Sequence, residues 1–328
     1  MIAYIFRRVL LTIPTILVIS LISFIIIQLP PGSWLDTHIA RLMETGETLT
    51  EQEIEAIKVM YGLDKPMPVQ YFTWVWGSLQ GDFGISYEWG EPVGNLIWER
   101  LALTVVISFT SMIFIWVVSF PIAIYSATHQ YSIPDYLFSF LGFIGLGVPG
   151  FLLALVGLWV AYRYFNVDLA GLFSEEYIEA PWSLGKVLDM FKHMWFPMLI
   201  LGIGGTASLI RHTRANLLDE IRKPYVTTAR SKGLKETRLL LKYPVRVALR
   251  PFVATVGYQL PALVSSGGIV AVVLSLPTSG PLLLRALMPQ DMFLAGTFVM
   301  MLSILTVIGQ LLSDILLVFI DPRIHFES

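Results

Sequence analysis

The sequence predicts an all-α integral membrane protein with six transmembrane helices. Three observations carry that expectation. Only 14% of the 328 residues are charged, against about 25% in an ordinary soluble domain. Mean hydropathy is +0.69. Six runs free or nearly free of charge are long enough to span a hydrocarbon core, which takes about 20 apolar residues in a helix. The runs are apolar on all sides, which separates them from the alternating strands of a membrane barrel.

The first run, Val9–Gln28, follows Arg7 and Arg8 and resembles a signal peptide. Its apolar stretch is too long for one, and Leu29-Pro30-Pro31-Gly32 offers no small-residue cleavage site, so it reads as a retained helix. Residues 31–100 form a structured loop. Thr50-Glu51-Gln52-Glu53 fits a capping box, with Ile54, Ile57 and Tyr61 at helical spacing, Gly62 as the stop and Pro66 beyond it. Tyr71, Phe72, Trp74 and Trp76 then suit a membrane surface; packing of the outer helix ends is preferred for them over a platform for an external partner. Leu101–Thr128 and Tyr136–Tyr162 are the next two spans. Gly145, Gly147, Pro149 and Gly150 mark a kink or break in the second of these. Met194–Ile210 is the shortest run, with Gly202, Gly204 and Gly205 inside it. Phe252–Leu276 and Met292–Ile320 complete the six.

Charge is segregated by loop, so the formal net charge of -2 says little. The first loop carries eleven acids between Asp36 and Glu99 against Arg41, Lys58 and Lys65. The loop 211–250 carries eleven basic residues against Asp219, Glu220 and Glu236. The positive-inside rule then puts both termini and 211–250 in the cytoplasm and 31–100 outside. The expected organisation is an N-terminal span (1–30), the outer loop (31–100), a five-helix core (101–320) containing the cytoplasmic loop, and a cytoplasmic tail (321–328).

Attraction to anionic lipid explains the basic charge of 211–250 but not its internal order. Tyr225, Ala229 and Gly233 fall at i, i+4 and i+8, a slim stripe on which another backbone can come close. Gly233 is a natural helix stop. Lys235, Glu236 and Thr237 follow in a turn, Pro244 interrupts the next segment, and Pro251 opens the next span. The expected form is helix, turn, helix.

Here the segment Thr227–Pro251 resembles the "EAA" loop of binding-protein-dependent ABC importer permeases. Thr227, Thr228 and Ala229 stand at the E-A-A positions and Gly233 at the glycine, so the first two depart from the motif's name. The run Tyr225 to Leu234 is similar to the peptide/nickel and oligopeptide branch. So are Met1–Gly32, Tyr61-Gly62-Leu63-Asp64-Lys65-Pro66, Gly81-Asp82-Phe83-Gly84-Ile85-Ser86 and the end from Asp314 through Asp321-Pro322-Arg323. The resemblance spans nearly the whole chain and suggests the "B"-type subunit of such systems. It implies a type I ABC importer permease-like bundle in a prokaryotic inner membrane. It also implies a second homologous permease, two ATPase subunits or domains, an extracytoplasmic solute-binding protein and surrounding lipid as partners, with no nucleic acid. ATP and Mg would be held by the ATPases. The coupling residues it implies are Tyr225, Thr228, Ala229, Gly233, Leu234, Lys235, Glu236 and Thr237, with the face of Ala229 and Gly233 seated in the ATPase.

No catalytic constellation accompanies this. The five histidines are scattered, there is no HExxH, and the absence of cysteine excludes disulfides and thiolate metal sites. Leu184-Gly185-Lys186-Val187 lacks the first glycine and the hydroxyl residue of a phosphate loop, so the energy for uphill transport must come from another chain. The chain is therefore expected not to be an enzyme. Gln259, Ser265, Ser266 and Gln310 are candidates for the translocation path, with Gln28 a weaker one. Gly267 and Gly268 are read as packing positions. Asp314, within the last span, is expected in a structural ion pair with Arg211, Arg214, Arg7 or Arg8 rather than in a proton relay. Peptide is the first substrate expected, with oligosaccharides or nickel chelates as alternatives. An ion-coupled secondary transporter would need more coupling acids than Asp314 and an inverted repeat. A non-transporting scaffold explains the charge asymmetry but not the ordered motifs.

Overall fold

The computed structural model describes residues 2–28, 34–44, 46, 49–249, 262–264 and 267–320, with side chains from 10 to 311 among these. Every extended element among the described residues is a helix. In chain order these are α1 (Ile2–Gln28), α2 (Trp34–Glu44), α3 (Glu51–Tyr61), α4 (Met67–Leu79), α5 (Val93–Thr128), α6 (Ile133–Gly147) and α7 (Gly150–Val160). A π-turn (Ala161–Phe165) precedes α8 (Glu175–Ile178) and α9 (Leu184–Ile221). Then come α10 (Pro224–Ser231), α11 (Glu236–Lys242), α12 (Pro244–Ala248), a helical stretch 267–273 (α13), α14 (Ser279–Leu287) and α15 (Met292–Ile320).

Four helices are long and apolar enough to cross a membrane: α1, α5, α9 and α15. A fifth span is formed if α6 and the α7 stretch count as one broken helix. Of the expected run Phe252–Leu276, residues 252–261, 265 and 266 lie outside the described residues, as do Pro251, residues 29–32 and the tail 321–328. The break falls where Gly147, Pro149 and Gly150 lead to expect it. Val148 is extended (φ -101°, ψ 125°), as a residue before proline prefers, and the two halves are bent by 107°. The span expected at Met194–Ile210 is a correction: α9 has 38 residues and is about 57 Å long at 1.5 Å per residue. Ser183 caps its start by accepting from Lys186 N. Charged residues at both ends conceal this helix from a reading based on hydropathy.

The chain divides into two compact units, Met1–Thr104 with Pro277–Val307, and Val105–Leu276 with Ile308–Ser328. The first thus takes in 277–307, which the consecutive division assigns to the core. In the first unit the capping box forms as expected: Glu53 N donates to Thr50 Oγ1 and Thr50 N to Glu53 Oε2, and Gly62 closes α3 at φ +67°. Of the aromatic cluster on α4, Tyr71 and Trp74 are buried while Phe72 and Trp76 are exposed. Tyr71 hydroxyl bonds to Ser20 of α1 at 2.8 Å, and Trp74 Nε1 donates to Thr297 Oγ1 of α15 at 3.2 Å. The packing role therefore holds for two of the four rings.

A buried carboxylate closes the same unit. Asp291, just before α15, accepts from Ser86 Oγ at 2.6 Å, Glu88 N at 3.2 Å and Leu294 N at 3.1 Å. Burial nevertheless pushes its pKa above the ordinary carboxylate value. Tyr87 beside it is also raised, first by burial and then by the charge of Asp291.

In the second unit α6 packs on α9 through small residues. A Cβ on Gly145 would meet Ile203 Cγ2 at 2.8 Å, so only glycine allows this approach. Phe151, Leu153, Gly204 and Val270 are among the residues around an apolar cavity of about 370 Å³ at the α6–α7 break.

Candidate functional site

The loop after α9 builds a miniature core of its own. Lys223 precedes Pro224, which opens α10 at a position where proline's missing N–H costs nothing. α10 runs for two turns and ends before Gly233, whose φ of +75° turns the chain left-handed. Lys235 then leads into α11, and Pro244 opens α12 after Tyr243. Val226, Ala229 and Leu239 are buried together, with Leu234 and Tyr243 packed against them. α10 packs on α11, α11 on α12 and α12 on α9. The last contact is a second small core of Ala127, Leu217, Val245 and Ala248.

The helix–turn–helix form agrees with the spacing of Tyr225, Ala229 and Gly233, but Ala229, the middle residue of the stripe, does not face outward. Ala229 lies inside the core beneath Leu239, because the loop's own α11 covers the apolar side of α10. Tyr225 turns its hydroxyl back to Glu220 Oε2 of α9 at 2.5 Å, and Lys223 pairs with the same carboxylate. Gly233 is open: nothing lies within 4 Å of where its Cβ would be. Leu234 is half-buried. The exposed surface of this segment includes Tyr225, Thr228, Lys232, Gly233, Lys235, Glu236 and Thr237. Arg230 holds the turn by donating to both Glu236 oxygens at 3.1 and 2.6 Å, and this hydrogen bonding lowers the Glu236 pKa from its ordinary value.

The translocation-path and ion-pair residues expected from the sequence fall mostly outside what is described. Gln259, Ser265 and Ser266 lie outside the described residues, as does the side chain of Asp314. Gln310 is half-buried on α15. Gln28 donates to Gln70 Oε1 at 3.3 Å in the first unit.

Arg214, one partner considered for Asp314, is held elsewhere. Its Nε and Nη2 donate to the two oxygens of Asp135 at 3.0 and 2.9 Å. Asp135 was not visible as a site in the sequence, although Ser132-Ile133-Pro134-Asp135 is a helix-start pattern. Ser132 is the cap and Asp135 N donates to its hydroxyl. Asp291 carries a similar signal, an aspartate immediately before an apolar helix. Lys186 and Asp189 were likewise passed over. Both are buried near the start of α9, where Lys186 Nζ donates to Ala180 O at 2.7 Å and Asp189 accepts from Ser174 N and Oγ.

Two family models match the chain. The one described as binding-protein-dependent transport system inner membrane component covers residues 119–326, and the one for the N-terminal part of such membrane components covers 1–108. Among similar proteins, the oligopeptide transport system permease protein AppB of Bacillus subtilis (strain 168) is 34% identical over 99% of this chain and 100% of its own length. The inner membrane ABC transporter permease protein YejB of Escherichia coli O157:H7 is 33% identical over 99% of each chain. The glutathione transport system permease protein GsiC of Salmonella paratyphi A is 30% identical over the full length of both.

Proposed function

Because the chain belongs to the family of binding-protein-dependent transport system inner membrane components, we propose that it is the permease subunit of a peptide importer driven by a separate ATPase. Membership makes it a membrane component of a multi-part transport system, and not the catalytic part. The peptide cargo is supported by relatives whose names specify oligopeptide and glutathione. The partners we assign are a second homologous permease, two ATPase subunits or domains that hold ATP and Mg, and a solute-binding protein outside. Both termini and the 211–250 loop face the cytoplasm, in keeping with the basic charge of that loop.

The observation that carries the coupling role is the open turn after α10. Gly233 projects no side chain, has free space around it, and is flanked by exposed Lys232, Lys235 and Thr237 on a base rigidified by Val226, Ala229 and Leu239. Such a turn fits a groove in another protein. Closure of the ATPases would push on it, and α9 would carry the push into the membrane.

Gly233→Tyr and Gly233→Ala separate docking from folding. Both incur the left-handed strain of about 1–2 kcal/mol, but only tyrosine adds bulk at the contact. ATPase association and substrate-stimulated ATP hydrolysis should fall steeply for Gly233→Tyr and much less for Gly233→Ala. Equal values for the two variants would defeat the docking claim. ATP-dependent uptake of labelled peptide by the reconstituted complex tests the function itself, and the reading fails if an ion gradient alone drives uptake by the purified chain.

A further inference from the structure

We propose that the Asp135–Arg214 ion pair is the positioning contact that passes movement of the cytoplasmic loop, carried by α9, to the broken helix pair α6–α7. The inference rests on the importer reading above.

The loop is anchored to the last turns of α9. Tyr225 and Lys223 both bind Glu220, and α12 packs on Leu217. A displacement of the loop therefore displaces the end of α9. Arg214 lies on α9 about two turns before its end at Ile221.

α9 packs on both α6 and α7, and two of its contacts with α6 differ in chemistry. One is the small-residue seam, where Gly142 and Gly145 approach Ala207 and Ile203. Such a seam couples the helices by shape, with Ile203 resting at the notch of Gly145, and it lies near the break end of α6. The other is the ion pair. A guanidinium fork bound to both carboxylate oxygens has one geometry, and sliding breaks two charge-assisted bonds at once. The Asp135 side chain is only 4% exposed, so water does not readily replace the lost partner.

Asp135 is also the node of its own surroundings. Tyr131 N donates to its Oδ2 at 3.0 Å, and its own N–H caps onto Ser132. The 129–135 connection and the first turn of α6 therefore move as a piece with the carboxylate. At its other end α6 meets the Val148–Pro149 break, where the cavity of about 370 Å³ lies. The pair thus grips α6 at the end opposite the break. A pull at Arg214 would act on the cavity wall through the length of α6.

The test uses the chain assembled with its ATPase and permease partners in liposomes, supplied with peptide-loaded binding protein. Absence of ATP-dependent uptake by the unmodified complex overturns the importer reading and this proposal with it. Given uptake, Asp135→Asn and Arg214→Gln should assemble and hydrolyse ATP at the basal rate. Peptide moved per ATP should fall by about tenfold or more. The swap Asp135→Arg with Arg214→Asp should recover at least half of it. An unchanged ratio of transport to hydrolysis in Asp135→Asn overturns the proposal alone, as does a swapped complex that assembles but stays uncoupled.

If the variants named so far do not assemble, Asp135→Cys with Arg214→Cys decides. The chain contains no native cysteine, so within it a flexible bismaleimide, applied to the purified chain before assembly, joins only these two positions. Coupling is expected with the linker and not without it, and equal coupling in both states overturns the proposal.

Discussion

Replacing Asp291 with alanine should loosen the first unit far more than its single-carboxylate size suggests. The side chain is fully buried and accepts from Ser86 Oγ, Glu88 N and Leu294 N. Alanine leaves all three donors without this acceptor, and each buried unsatisfied donor costs about 1–3 kcal/mol. Water entering the vacated space will satisfy some of them, so the low end applies, about 1 kcal/mol each and about 3 kcal/mol together. At about 1.4 kcal/mol per tenfold, the open form of the 86–92 turn becomes about a hundredfold more populated. The assay is limited trypsin digestion of the detergent-purified chain. Arg41, Lys58 and Arg100 supply cleavage points in this unit, whereas Lys65 is protected by Pro66. Cleavage through a transiently open state tracks the population of that state, so the rate should rise by about a hundredfold. A rate within about threefold of the unmodified chain would refute the idea that the three bonds hold the turn to α15.

The pH dependence of that unit follows from the direction of the same shift. A carboxyl whose folded pKa is raised contributes stability that is present below the ordinary value and lost as pH rises through the raised one. The thermal midpoint in detergent should therefore rise on going from about pH 8 to about pH 5, and Asp291→Asn should flatten the trend. Glu53, lowered by its hydrogen bonds from Thr50, acts only as pH falls below the ordinary glutamate value, outside that window. Arg41→Ala, which removes an exposed pair to Glu88, should change stability by less than about 1 kcal/mol by the same melting assay. On the α6–α9 seam, Gly145→Val forces a Cβ to 2.8 Å from Ile203 and should cost about 1–3 kcal/mol. Gly142→Ala, whose Cβ would lie 3.9 Å from that of Ala207, should leave the yield of folded chain unchanged.

Features set by neighbours along the chain were legible in the sequence. The Thr50–Glu53 box, the stop at Gly62, the break at Pro149 and the turn at Gly233 each depend on residues within about four positions, where backbone sterics and local hydrogen bonds decide the outcome. What depended on distant residues was read less well, and for one physical reason. In a membrane chain a charge suggests a loop, because an unpaired charge in hydrocarbon is costly. That inference assumes the charge is unpaired. Lys186 and Asp189 are satisfied by Ala180 and Ser174, so α9 begins ten residues before the apolar run does. Asp135 and Arg214 satisfy each other across 79 positions, which no local pattern reports. Ala229 errs in the opposite direction: its spacing correctly identified a helix face, but whether that face meets a partner or the chain's own α11 depends on the turn at Gly233 folding the loop back. That fold buries Ala229 and leaves Tyr225, Thr228, Lys232, Gly233 and Lys235 through Thr237 exposed, so the docking proposed above rests on these residues and not on Ala229.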